Sequence, residues 1–174
     1  MDNGLIDYYN ASSIGGFRAY YLYYWYFLFF PIYILPLEIG VYVWDALRLI
    51  TAIYVAKNVN KLTDNSTDKV IFFLITGIGF FADMYLNNTN WLIQIFLFQS
   101  YVALKNDKKW LSGLLFTLAT YKIIVIVFPF ILLIVKKIKL RNIAFFFIPF
   151  AFICIPYYIF PDYFLSMVYN QLLY

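Results

Sequence analysis

The chain has 174 residues, of which 64% are hydrophobic and 13% are charged. Soluble globular domains are about 45–50% apolar and about 25% charged, and a chain of this length could not bury so much apolar surface in water. The composition therefore excludes a soluble enzyme, a nucleic-acid-binding protein and a disordered tail. It predicts an all-α fold, a polytopic membrane helical bundle.

The charge balance agrees with this class. The formal net charge is +4, which suits a membrane protein with basic cytoplasmic loops. It gives no reason to expect nucleic acid as a partner, because the basic residues lie between apolar runs.

The counts of reactive side chains exclude several kinds of site within this chain. There is no His and one Cys, Cys154, which lies inside an apolar run. A His/Cys metal site, a Cys–His nucleophile and a disulfide framework are therefore excluded, and we expect no metal and no cofactor. We interpret Cys154 as a small buried apolar side chain.

The N-terminus begins with polar residues. A secretory signal would have a positive segment and then an apolar core, whereas here Asp2 and Asp7 precede the first hydrophobic run. We expect residues 1–25 to form an outer loop or interfacial segment, or to follow an upstream helix that this sequence lacks.

Residues 26–160 form the predicted transmembrane region. One helix over 26–56 would be about 45 Å long, more than the roughly 30 Å hydrocarbon core of a bilayer. Pro31 and Pro36 are therefore expected to separate an interfacial piece at 26–37 from the first span. The apolar runs predict about four to six membrane helices, with spans at 39–56, 70–86, 91–104 and 142–160 and an outer interfacial tail at 161–174.

The segment 110–135 lies between two basic clusters, 105–109 and 136–141. If both clusters are cytoplasmic, the segment must enter the membrane and return, with arms of about 12 residues or roughly 18 Å of helix. Lys122 would then lie near the tip of a half-membrane hairpin, which we favour. A single crossing of about 25 residues is the alternative, and it breaks the positive-inside pattern.

The distribution of basic residues predicts the orientation. The loops 57–69, 105–109 and 136–141 contain ten of the thirteen Lys and Arg residues. We therefore expect a multi-pass protein of the cell membrane with these loops in the cytoplasm. The outer segments then hold four acidic residues and one basic residue: Asp2, Asp7, Asp83, Asp162 and Arg18.

Charged residues at membrane depth are candidate functional groups, because burying a charge in lipid is costly. Lys122 needs an anion, which could be the carboxylate of Asp83 or a lipid-linked phosphate; snorkelling or a structural ion pair is the alternative. Asp45 and Arg48 lie three residues apart on one helix and are interpreted as a structural pair. On the outer loop, Asp7 or Asp2 could act as a general base, although such carboxylates are usually only solvated.

Two groups of residues resemble glycosyltransferase family 87, whose members are polyprenol-phosphate-dependent mannosyltransferases of the GT-C superfamily. The first group is similar to the start of that family: Asp7-Tyr8-Tyr9-Asn10-Ala11, the run from Tyr26 to Pro31, Pro36-Leu37 and Trp44. The second group resembles a later part, in which a polar tip, an apolar helix, a basic turn and a small-residue helix follow one another. It comprises Asn87-Asn88-Thr89-Asn90, the run from Leu111 to Lys122, and Pro129.

The resemblance implies a GT-C-like membrane bundle and a glycosyltransferase. It implies Asp7 as the catalytic base, with Asp2 as the less favoured candidate, Lys122 as the partner of a phosphate, and Asn88 and Asn90 as polar lining. The implied donor is a polyprenyl-phosphate sugar, used as a substrate in the membrane lipid. Family members are longer, so the resemblance also implies that this chain is part of an enzyme whose remainder is a possible partner.

Two other classes of function remain as alternatives. A transporter segment would predict paired broken helices in two related halves, and the sequence has one such hairpin. A small non-catalytic membrane protein, such as an assembly partner, would tolerate the loss of Asp7 and Lys122.

Overall fold

A computed structural model describes residues 22–85, 88–162, 164, 165 and 168. Every regular element in this part of the chain is helical, so the predicted all-α class is confirmed. The α-helices are α1 (Trp25–Tyr33), α2 (Leu37–Asn58), α3 (Ser66–Tyr85), α4 (Asn90–Lys105), α5 (Lys109–Ala119), α6 (Phe128–Ile134), α7 (Ala144–Ile153) and α8 (Ile155–Ile159). Short 3₁₀ segments follow α2, precede α6 and precede α7: Val59–Lys61, Ile123–Val127 and Leu140–Asn142.

Local sequence explains where α2 begins. Pro36 precedes the helix in an extended conformation, with φ −52° and ψ 143°, and proline also restricts the residue before it to non-helical conformations. Glu38 in the first turn and Lys57 in the last turn both complement the helix dipole. As a result α1 and α2 are separate helices.

One helical stretch of the described residues, Leu37–Lys61, is long and apolar enough to cross a membrane unaided. Two further apolar stretches, Ile123–Ile134 and Leu140–Ile153, are shorter. The number of spans and their bounds stay predictions from the sequence.

Helices α2 and α4 run side by side in the same direction. The rings of Trp44 and Trp91 lie 5.1 Å apart, and those of Tyr54 and Phe98 lie 6.3 Å apart. Both contacts advance along the chain in the same sense. Helix α3, which lies between α2 and α4 in the sequence, must therefore run in the opposite direction. At the far end, the Lys105 ammonium donates to the carbonyl oxygens of residues 61 and 62, at 2.9 and 3.1 Å, which brings two of the basic loops together.

A tight turn joins α4 to α5. Asp107 adopts a positive φ of 57° in this turn, a conformation that Asp tolerates better than most residues do.

The hydroxyl of Ser100 on α4 donates to the carbonyl oxygen of Ser112 on α5, at 2.8 Å. Small residues and hydrogen bonds of this kind let helices approach closely in apolar surroundings.

Helices α5 and α7 are parallel and touch at a glycine. Trp110 contacts Phe145 with ring centroids 5.1 Å apart near the start of both helices. A Cβ on Gly113 would lie 1.8 Å from the carbonyl oxygen of Phe145, so the contact requires a residue without a side chain.

The chain between these parallel helices has to reverse. Phe116 and Phe128 stack with centroids 6.3 Å apart, although twelve residues of straight helix would separate them by about 18 Å. Both rings pack with Leu132 and Phe146 in one buried cluster. The segment therefore turns back after α5, and its depth in a membrane stays a prediction.

A second cluster holds α1 and α8 against the turn that follows α5. Leu22, Tyr24, Tyr121 and Tyr157 are its buried members. The Tyr24 hydroxyl donates to the carbonyl oxygen of Thr117 at 2.7 Å. The start of α1 is therefore fixed directly beside Lys122.

Candidate functional site

Lys122 lies where α5 has ended and the returning segment begins. Its backbone is extended, with φ −94° and ψ 108°, so the chain changes direction at this residue. The neighbouring Tyr121 is fully buried. This local geometry points the Lys122 side chain towards the start of α4.

The ammonium of Lys122 is held by two asparagines. It donates to Oδ1 of Asn88 at 2.6 Å and to Oδ1 of Asn90 at 2.7 Å. Asn88 Oδ1 also accepts from the backbone N–H of Thr89 at 2.7 Å, which fixes that amide. Three of the residues chosen from the sequence therefore lie in direct contact.

Asp83 is buried at the end of α3 and binds the start of α4. Its two carboxylate oxygens accept from the backbone N–H groups of Asn90 at 3.0 Å and Trp91 at 3.1 Å. These N–H groups have no partner within the helix, and the positive end of its dipole favours an anion there. Asp83 therefore fixes the backbone of Asn90, whose side-chain oxygen accepts from the Lys122 ammonium.

Two further contacts were not predicted from the sequence. The Tyr121 hydroxyl donates to the carbonyl oxygen of Thr89 at 2.6 Å, and Arg48 Nη2 donates to the carbonyl oxygen of Asn88 at 3.4 Å. Both hydrogen bonds fix the backbone of residues 88–90, the asparagine segment. The position of Tyr121 directly before Lys122 is the sequence feature that could have indicated its contact. Nothing in the sequence indicates that Arg48 lies beside Asn88.

The predicted pairing of Asp45 with Arg48 is confirmed, with Arg48 Nη1 at 3.4 Å from Asp45 Oδ1. The two side chains differ in exposure: Arg48 is 3% exposed and Asp45 is 55% exposed. The pair therefore connects the half-buried asparagine segment to an open surface.

That surface is a cleft of about 780 Å³ between α1 and α2. One face of α2 lines it from Leu37 to Arg48, a distance of about 16 Å along the helix. Three aromatic side chains, Trp25, Phe29 and Trp44, and the side chain of Thr89 also line it. The volume falls within the range of about 300–1,000 Å³ that is typical of small-molecule sites.

The Lys122 ammonium and the two asparagine side chains that hold it suit a ligand with an anionic group and an attached polar group. A partly buried ammonium in a fixed position can stabilise negative charge more strongly than it could in water. The two amides that hold it also carry NH₂ donors. The residues that could bind such a ligand thus lie together where α3 and α5 end and α4 begins.

Two residues chosen from the sequence, Asp2 and Asp7, lie outside the described residues. Their relation to Lys122 and to the cleft stays a prediction.

Comparison with known proteins gives one match. The model of glycosyltransferase family 87 matches residues 22–172, which contain Asn88, Asn90 and Lys122 but neither Asp2 nor Asp7. No curated protein and no solved structure matches the chain. Because the matched residues make up most of the sequence and contain the whole described site, the chain belongs to glycosyltransferase family 87.

Proposed function

We propose that this chain is part of an integral-membrane glycosyltransferase that transfers a hexose from a polyprenyl-phosphate donor to an acceptor on the outer face. Mannose is the sugar that we propose. The observation that supports this most is the Lys122 ammonium held by Asn88 and Asn90 in a chain of this family. The fold that we propose is a GT-C-like bundle of four to six membrane helices, with a half-membrane hairpin that presents Lys122.

The proposed reaction is a direct displacement with inversion. Asp7 accepts the proton of the acceptor hydroxyl, whose oxygen forms a bond to the anomeric carbon as the bond from that carbon to the phosphate oxygen breaks. The bonding electrons leave with polyprenyl phosphate. Asp2 is the alternative base.

Lys122 has its effect on the leaving group. Negative charge grows on the phosphate as the bond breaks, so a cation beside it stabilises the transition state more than the ground state. Asn88 and Asn90 hold the ammonium in place, and their NH₂ groups are available to the phosphate oxygens. Asp83 positions Asn90 through its carboxylate and Asn88 through its backbone carbonyl oxygen.

Membership in the family favours this reading over a transporter segment or a non-catalytic assembly partner. The lipid-linked donor is the substrate that distinguishes this proposal from the two alternatives. No cofactor takes part in the proposed reaction. We also propose that the protein is multi-pass, with residues 57–69, 105–109 and 136–141 in the cytoplasm.

A donor comparison tests the proposal. The protein, expressed from its complete reading frame and reconstituted in vesicles, is given a polyprenyl-phosphate hexose or the corresponding nucleotide-linked hexose. We expect transfer from the lipid-linked donor, with an anomeric configuration in the product opposite to that of the donor, read by NMR. Transfer from the nucleotide sugar alone, or a product of retained configuration, would contradict the proposal.

A further inference from the structure

The three basic loops of the chain carry a large excess of positive charge. Residues 57–69, 105–109 and 136–141 together hold ten Lys and Arg residues against three Asp residues, a formal balance of +7 in a chain whose net charge is +4. The rest of the chain is therefore acidic overall. Like charges repel one another, so a fold that gathers the three loops in one place needs an anionic partner to offset the repulsion.

Contacts between the loops bring them to one end of the bundle. The Lys105 ammonium, in the second loop, donates to the carbonyl oxygens of residues 61 and 62 in the first, at 2.9 and 3.1 Å. An ammonium held by carbonyl oxygens keeps its full charge, because no carboxylate neutralises it. The first two loops are therefore joined without any loss of positive charge.

The third loop lies against the second. The Lys109 ammonium is 6.0 Å from the ring centre of Phe145, which belongs to the first turn of α7, shortly after the third loop. Ile138 in the third loop is buried in the apolar cluster against which Leu104, near the end of α4, also packs. The three loops thus lie together, and we name the exposed side of residues 57–69, 105–109 and 136–141 the basic surface.

Most of this positive charge faces outward. In the part of the chain that the structure describes, Lys109 is the one residue of the basic surface whose ammonium pairs with a carboxylate, that of Asp107 at 3.0 Å. Eight of the ten basic residues are exposed: Lys57, Lys61, Lys105, Lys108, Lys136, Lys137, Lys139 and Arg141. The basic surface is therefore open to an anionic partner.

Lys136 occupies a position at which glycine is usual. Helix α6 ends in a Schellman motif: the N–H of Lys136 donates to the carbonyl oxygen of Leu133 at 3.0 Å, and that of Lys137 donates to Leu132 at 2.8 Å. The φ of Lys136 is 55°, a left-handed conformation that is costly for a residue with a Cβ and easy for glycine. A lysine here adds charge at a conformational cost, which indicates, independently of the charge count, that the charge is used.

Exposed apolar side chains lie among the charges. Leu140 is 71% exposed between Lys139 and Arg141, and Trp110 is 54% exposed directly after Lys109. The headgroup region of a bilayer accommodates both kinds of side chain, because Trp prefers the membrane–water interface and the stems of Lys and Arg extend along apolar surface. A soluble anion would leave Trp110 and Leu140 in water, so a lipid surface is favoured.

From these observations we propose that the basic surface binds the headgroups of anionic phospholipids, with the exposed residues of 136–141 on the phosphates and with Trp110 and Leu140 at the boundary between headgroups and acyl chains. Basic clusters beside a membrane helix are attracted to anionic lipids, by about fivefold in affinity for each charge. The proposal concerns lipids of the bilayer and not the sugar donor, so it does not depend on the proposed reaction.

Native mass spectrometry of the full protein in detergent tests the proposal. The protein is titrated with phosphatidylglycerol or with phosphatidylcholine of the same acyl chains, and the bound lipids are counted. We expect phosphatidylglycerol to bind at least about tenfold more tightly, and higher ionic strength to weaken its binding because salt screens the attraction. Equal binding of the two lipids would overturn the proposal.

A double variant locates the binding. Lys137→Gln combined with Lys139→Gln removes two exposed charges and should weaken phosphatidylglycerol binding about 25-fold. Lys122→Gln is the control, since it removes the charge that we assign to the donor phosphate, and it should leave this binding unchanged. Loss of phosphatidylglycerol binding in Lys122→Gln but not in the double variant would show that the lipid occupies the donor site, against the proposal.

A third variant separates the charge of the basic surface from its stability. Lys136→Gly should raise the unfolding temperature in detergent without lipid, because glycine adopts the positive φ without strain. It should nevertheless weaken phosphatidylglycerol binding about fivefold, a loss that misfolding could not explain. Wild-type affinity for phosphatidylglycerol in both this variant and the double variant would overturn the proposal.

Two competitors distinguish a lipid surface from other anionic partners. Glycerol phosphate carries the headgroup chemistry without acyl chains, and polyglutamate represents an acidic polypeptide. We expect neither compound to displace phosphatidylglycerol at an equal concentration. Displacement by glycerol phosphate would indicate a site for a soluble phosphate and displacement by polyglutamate a site for an acidic protein, and either result would overturn the assignment to lipid.

Discussion

The ammonium of Lys122 lies 2.6 Å from the side-chain oxygen of Asn88, although the two residues belong to different helical connections. This contact joins the turn after α5 to the segment before α4. It follows that Lys122 has a structural effect as well as the catalytic one proposed for it.

Replacing Lys122 with Met should therefore destabilise the protein. The change removes the Lys122 donor from both amide oxygens, so that of Asn88 keeps only the Thr89 N–H and that of Asn90 loses the hydrogen bond from Lys122, at a cost of about 1–3 kcal/mol. Thermal unfolding followed by circular dichroism in detergent measures the loss. Lys137→Met, which alters an exposed lysine, is the control and should unfold as the wild type does; equal effects of the two changes would refute the structural role.

Asp83 should matter for the start of α4. Asp83→Ala removes the acceptor of two backbone N–H groups, and losing a cap of this kind costs about 0.5–2 kcal/mol. Hydrogen exchange at Asn90 and Trp91 should accelerate, while exchange in the middle of α4 should change less. Unchanged exchange at these two amides would show that the carboxylate does not cap the helix.

The contact between α5 and α7 should depend on Gly113. An added Cβ would lie 1.8 Å from the Phe145 carbonyl oxygen, so Gly113→Ala forces two helices apart, at a cost of about 1–3 kcal/mol or more. Gly77→Ala is the matched control, because nothing lies within 4 Å of its added Cβ. It should stabilise α3 by up to about 1 kcal/mol, so the two substitutions should shift the unfolding temperature in opposite directions.

The predicted orientation can be tested with single cysteines, since the chain has only one. In a Cys154→Ser background, Asn65→Cys and Asp107→Cys should react with an impermeant maleimide only from the cytoplasmic side. The contact of Lys105 with residues 61 and 62 requires these two positions to share a side. Asp162→Cys should react from the opposite side, and labelling of all three from one side would contradict the predicted topology.

The sequence singled out Lys122 as a charge at membrane depth, and the resemblance to the family added Asn88 and Asn90. The structure brings these three side chains into contact, and their role as one site stays a proposal. The sequence was sufficient for the Asp45–Arg48 pair, since their spacing brings them together on any helix. It could not show that Arg48 reaches the Asn88 carbonyl oxygen. That contact depends on how α2 lies against the start of α4, which is decided by ring contacts between residues distant in sequence, such as Trp44 and Trp91.

The cleft escaped prediction for the same reason. Pro31 and Pro36 separate Trp44 from Trp25 and Phe29 in the sequence, and an aromatic content of 24% hides any one cluster. Asp83 was selected from the sequence for its charge, as a candidate partner of Lys122. The sequence pattern did not indicate that its carboxylate binds the start of the following helix.

The rate of sugar transfer in a Lys122→Gln variant tests the central claim most directly. Glutamine keeps a donor for the two asparagine oxygens and removes the charge, so the fold should survive. With a polyprenyl-phosphate hexose as donor, we expect turnover to fall about 100-fold or more, and Lys137→Gln to keep the wild-type rate. Wild-type turnover in a folded Lys122→Gln protein would contradict the account.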